Sequence, residues 1–203
     1  MPAMRVFSNL ILACLAMCAT TVDSTPLVAA EPSPQTEVAA LTTPKERVDA
    51  LFTDLKREVE EDKARQVAER IRLEWQDSGS ATVNLLMQWA NKAIAEEKQT
   101  AALDLLDQVI ALSPDYVEGW NRRATLHYQM GNFRKSMSDI NRVLALEPRH
   151  FGALAGMATM LEAAGKEELA MRAWQQFLDV YPSDRKAQEQ LGELAEKLAG
   201  SRT

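Results

Sequence analysis

Chemistry needs particular side chains in company, and this chain offers few. It has two histidines, His127 and His150, and two cysteines, Cys14 and Cys18. Two imidazoles cannot build a metal cluster alone. His127 falls on the core-facing side of an apolar stripe, where one satisfied nitrogen is expected, and His150 follows Pro148-Arg149 in what reads as an exposed loop. Carboxylates are densest at Glu58, Glu60, Glu61 and Asp62, among Lys56, Arg57, Lys63 and Arg65. Such mixing marks a solvated, salt-bridged helix end. A calcium loop needs alternating ligands around a central glycine, a pattern that is absent. Paired carboxylates could cleave a glycosidic bond, and Glu60, Glu118 and Glu162 are the only candidates. Trp75, Trp89, Trp120 and Trp174 could stack on sugars, but all four lie on apolar stripes and are expected in the core. No nucleophile elbow, phosphate loop, dinucleotide fingerprint or zinc-protease motif occurs. The expectation is therefore no catalytic residue, no cofactor, no metal and no enzyme.

The chain has 203 residues, 46% of them hydrophobic and 26% charged. That composition excludes collagen-like, disordered and disulfide-scaffold classes. A net charge of −6 argues against a nucleic-acid partner, which calls for a concentrated basic stripe. Arg5 precedes an unbroken apolar run over residues 10–19. Spanning a membrane takes about 20 apolar residues, so this run reads as the core of a secretory signal peptide. Residues 1–30 are assigned to it, with cleavage after Ala30. A rival is the lipoprotein-like Leu15-Ala16-Met17-Cys18, which would anchor the chain by lipid on Cys18, although Met17 stands where Gly or Ala is wanted. Cleavage after Ala30 leaves an exported chain without a thiol, and no Asn-x-Ser/Thr acceptor occurs, so a bacterial periplasm is the expected address. Residues 31–43, with Pro32 and Pro34, read as a flexible linker.

From there a period of 34 residues takes over. Pro114, Pro148 and Pro182 keep it, as do Leu86, Trp120 and Leu154, then Ala90, Ala124 and Ala158, then Ala102, Ser136 and Ala170. Within each period two stripes have helical spacing: Leu86, Trp89, Ala90 and Ala93 in one, Leu103, Leu106, Val109 and Ile110 in the next. Gly131 and Gly165 break the chain between stripes, and each proline ends a second helix. Small residues recur where paired backbones must meet.

Proline after the second helix, small residues at the crossing and this period resemble the tetratricopeptide repeat (TPR) family, as found in small exported bacterial proteins. The resemblance implies an all-α fold, a right-handed superhelical stack of antiparallel helix pairs. Units fall at 83–116, 117–150 and 151–184. Residues 44–82 form a degenerate pair, predicted as helices 44–59 and 62–76, with Phe52, Leu55, Val59, Ala68 and Trp75 facing inward but Lys56 at the crossing. Residues 185–203 form a capping helix and tail, with Leu191, Leu194 and Leu198 inside. Departures include Glu97 in place of the first turn glycine.

A TPR stack implies a concave groove lined by the first helix of each pair. Positions outside the packing stripe are Met87 and Asn91, then Asn121, Thr125, Tyr128 and Gln129, then Ala155, Thr159 and Glu162, with Arg57 and Glu60 as extensions. Amides suit an extended peptide backbone, while Met87 and Tyr128 could take an apolar anchor. Of the carboxylate clamp of some TPR co-chaperones Asn91 matches one asparagine, but Met87, Gly152 and Gly156 stand where basic or amide groups are needed, and Arg122 alone is no clamp. The resulting expectation is a non-catalytic protein-interaction adaptor of the cell envelope whose partner is another protein or peptide. The alternatives are a self-assembling scaffold stacking end to end and, more remotely, an envelope-polymer enzyme.

Overall fold

The computed structural model describes residues 43–200. The expected signal peptide, its cleavage site, Cys18, most of the linker and the last three residues lie outside the described residues. Those described form nine helices and no strand: α1 (Pro44–Arg57), α2 (Glu61–Gln76), α3 (Ala81–Ala95), α4 (Gln99–Leu112), α5 (Val117–Gln129), α6 (Phe133–Leu146), α7 (Phe151–Ala163), α8 (Glu167–Val180) and α9 (Arg185–Gly200). None of them is long and apolar enough to cross a membrane.

Helices α3 to α8 pair in sequence, α3 with α4, α5 with α6 and α7 with α8, and each pair packs on the next. At each crossing small residues are buried on both sides: Ala90 with Ala102, Ala124 with Ser136, Ala158 with Ala170. The middle crossing is close enough for the Ser136 hydroxyl to donate to the Ala124 carbonyl at 2.8 Å. Turns within pairs close alike, with Lys98, Asn132 and Lys166 each donating a backbone N–H to the carbonyl five residues back. That geometry needs a left-handed residue, supplied by Gly131 and Gly165 but in the first pair by Glu97 at φ 57°. Second helices end two residues before Pro114, Pro148 and Pro182, since the residue before proline is pushed out of helical conformation.

The first pair behaves differently. Thr43 opens α1 with a reciprocal cap, accepting from the Glu46 N–H while its own N–H donates to the Glu46 carboxylate. The helix ends at Arg57, two residues before its expected limit, and Val59 is left exposed in the link to α2. This pair does not take the place ahead of α3 that the repeat register assigns it. It lies along the edge where successive pairs join. At one end the Tyr116 hydroxyl donates to the Gln76 carbonyl at 2.8 Å. In the middle Trp75 stacks on His150 with ring centres 4.3 Å apart, and Phe52 and Trp75 both meet Phe151. Arg149 pairs with Asp49 at 2.8 Å and lies 4.2 Å over the Phe52 ring. At the far end Arg185 pairs with Glu61 at 3.1 Å. Tyr116, His150 and Arg185 stand at the starts of α5, α7 and α9, so α1–α2 straps these three helices together. Lys56, where a small residue would be needed, and the aromatic rings of Phe52 and Trp75 explain why the pair suits this aromatic seat better than a stacking position.

Phe151 is fully buried under the strap, and Phe151→Ala should cost about 3–5 kcal/mol in denaturant unfolding, with faster amide exchange in α1 and α2. Unchanged exchange there would mean that Phe151 does not hold the strap. At the middle crossing Ala124→Leu should overpack the contact with Ser136 and cost about 1–3 kcal/mol, seen as a lowered melting temperature.

Candidate functional site

On α5, Asn121, Thr125 and Tyr128 fall at i, i+4 and i+7, which puts them on one face. On α7, Gly152, Gly156 and Thr159 have the same spacing. The two faces border one depression of about 190 Å³, floored by Ala124, Ser136, Ile140, Ala153 and Met160. Glycine opens it: a Cβ on Gly156 would come within 3.2 Å of the Ile140 side chain in the floor. The polar rim is held in place. Asn121 donates to Glu118 at 2.9 Å, and Thr125 and Thr159 donate to carbonyls one turn back, leaving hydroxyl lone pairs for an incoming donor. Tyr128 is exposed and meets Phe133 edge-on at 5.6 Å, so an aromatic wall flanks the depression.

The structure thus brings together Asn121, Thr125, Tyr128 and Thr159. Asn91 and Gln129 are exposed, as expected, but do not line this depression. Met87 is corrected: only 7% of it is accessible, and it packs with Val83 and Leu86 in the first pair's core. It shares the phase of Asn121, but its unbranched apolar chain folds back onto that core. Glu162 is half-buried and accepts the indole N–H of Trp174, so it serves packing rather than the groove. Arg57 and Glu60 sit at the α1–α2 link, with Glu60 paired to Lys63.

The other chemical candidates also find places. Glu60, Glu118 and Glu162 each engage a different partner, and among the described residues no three ligating side chains converge as a metal site. Of the tryptophans, Trp174 is buried and Trp75 and Trp120 are half-buried, whereas Trp89 is 51% accessible, against the expectation of a core position. His127 is buried, but its Nδ1 has no partner; desolvation lowers its pKa. His150 is corrected from an exposed loop to 2% accessibility. Its Nδ1 accepts the Ala153 N–H at 3.0 Å and caps α7, so the proton rests on Nε2, which donates to Glu118 at 3.0 Å. Asp139, on α6, is only 4% accessible and takes a two-pronged bond from Arg123 at 2.7 and 2.8 Å. Arg123 also reaches Asp107 at 2.6 Å, tying α4, α5 and α6 together. The bonds to Asp139 raise the pKa of the guanidinium. Sequence reasoning missed both networks, although 16-residue spacings on each side of Arg123 were there to see.

No family model matches the chain. A TPR repeat-containing protein of Rhizobium etli is 64% identical over 164 residues, covering 81% of this chain and 80% of that protein. The chain belongs to the tetratricopeptide repeat family. A small glutamine-rich TPR protein of Mycosarcoma maydis is 24% identical over 125 residues, and the match spans 36% of its length. Among solved structures, the first TPR domain of Spaghetti (RPAP3) bound to an HSP90 peptide aligns with a TM-score of 0.54. The alignment covers 58% of this chain and 93% of that one at 22% identity. MamA aligns with a TM-score of 0.52 over 77% of this chain and 82% of its own, at 15% identity. The helix-pair stack expected from the 34-residue period is therefore the fold of this TPR chain.

Glu118 carries a pH dependence. Burial pushes its carboxyl pKa up, but the hydrogen bond and electrostatic pull of His150, with the bond from Asn121 and the nearby Arg122, together outweigh burial and hold it below the ordinary value. A lowered folded-state pKa stabilises fully above the unfolded value, about 4.3, and the gain is lost as pH falls through the folded one. Glu118→Gln should therefore be less stable than the parent near pH 6, with the gap narrowing in urea titrations as the pH falls through the carboxylate range. A gap independent of pH would show that the carboxylate charge is not what His150 recognises.

Proposed function

We propose that this TPR protein is a non-catalytic adaptor that holds a peptide or helix of another protein in the depression between α5 and α7. The observation that carries the reading is that depression itself: an apolar floor, two bare glycines, and a rim of Asn121, Thr125, Thr159 and Tyr128. Amide and hydroxyl groups match the alternating donors and acceptors of a peptide backbone, and Tyr128 offers one apolar anchor. A peptide lies on the TPR domain in the RPAP3 structure, which supports the same use of the fold here. The ligand chemistry differs from a carboxylate clamp, because Met87 is buried and Gly152 and Gly156 carry no side chain. The partner we envisage is an internal, mostly neutral segment of protein rather than a nucleic acid.

The signal-like segment in residues 1–30 supports an address in the bacterial periplasm, with lipid anchoring through Cys18 as the variant form. Envelope assembly or integrity is the process this address suggests. A photoreactive residue at Thr125 in whole cells should give a discrete adduct with an exported protein. The same probe at exposed Gln175 on α8 should not. Tyr128→Ala should weaken capture roughly tenfold, the size of a lost anchor. Equal labelling from both positions would sink the groove assignment, and an adduct confined to cytoplasmic proteins would sink the address.

A further inference from the structure

Each first helix in the stack docks on the preceding second helix through side chains in one fixed phase. In α5 these are Gly119 and Leu126, in α7 Ala153 and Met160, in α9 Ala187 and Leu194; all are buried. The same phase in α3, 34 residues earlier, holds Leu85 and Lys92, with Trp89 on the same face. Here Leu85 is 43% and Trp89 51% accessible. Among the described residues no helix covers this face, because α1–α2 is engaged along the repeat edge instead. Residues occupying a helix-docking phase, and apolar there, are left open.

We propose that this face pairs with its counterpart on a second copy of the chain, α3 against α3 about a twofold axis. Two features favour a copy of itself. First, α3 has a single charged residue, Lys92, in fifteen, the depletion of charge found at the centre of protein interfaces. Second, the face is self-complementary. An antiparallel pairing with its axis midway between Leu85 and Trp89 sets Leu85 of each copy against Trp89 of the other. Lys92 then lies opposite Thr82, so no like charges meet, and the helix dipoles oppose favourably. A closed twofold pair is also the commonest form of self-association. It continues the helix-on-helix contact that α5, α7 and α9 already make within the chain, and leaves the depression between α5 and α7 open.

Sedimentation equilibrium of the full chain from micromolar to sub-millimolar concentration tests this. The apparent mass should rise to twice the single-chain value and stop. Trp89→Glu, and separately Leu85→Glu, should hold it at one chain throughout while circular dichroism and melting temperature stay unchanged, because both side chains are exposed. A chain monomeric at every concentration overturns the proposal and leaves the face to a helix from a different protein. Growth past two copies overturns the closed pair, and association that survives both substitutions places the contact elsewhere.

Discussion

Everything in this molecule depends on how closely two helices of a pair can approach. A second helix turned back on the first buries an apolar stripe only if nothing bulky stands at the crossing. Ala90, Ala124 and Ala158 meet Ala102, Ser136 and Ala170 there, and the hydroxyl of Ser136 reaches a backbone carbonyl across the gap. Once that distance is set three times at the same interval, the lean of one pair on the next follows. So does the placing of α5 beside α7, with a hollow between them. The Arg123 guanidinium, gripped by Asp107 and Asp139, and the His150–Glu118 bond then fasten adjoining helices by polar contacts. Neither would meet its partners if the crossings were wider.

The repeat architecture was readable in the residues because its contacts are local and recur, so each apolar stripe is confirmed by its neighbour 34 positions on. The rim residues Asn121, Thr125 and Tyr128 were readable for a related reason: polar groups on an otherwise packed helix show which face is open. The same rule failed at Met87, whose apolar chain can serve either side, and at Glu162, whose charge suggested solvent while an indole was waiting for it. Trp89 was misread because a large ring on a stripe means burial only if another element arrives to cover it. His150 was misread because Pro148 and Arg149 suggested an open turn. Its ring stands in for a helix cap and slides beneath Trp75.

The seat of α1–α2 could not be read at all. Its apolar face was plain, but what it packs against lies about a hundred residues away and recurs nowhere. Asp49 with Arg149, and Glu61 with Arg185, are single pairings with no periodic echo. A solenoid is ordinarily held by nearest neighbours alone. This strap adds bonds that skip over repeats, so the later pairs are not free to open independently, and the curvature of the groove is braced along one edge.

That brace also sets a timetable. Ribosomal synthesis delivers α1–α2 before any of the surface that receives it, and the receiving surface is incomplete until Arg185 has emerged. In the interval Phe52 and Trp75 lack the rings of His150 and Phe151 that they pack against. The repeats, built from short-range contacts, can assemble quickly, whereas seating α1–α2 across the later repeats must come last. A nascent chain therefore carries the α1–α2 hairpin without its aromatic seat until the final helix is in place.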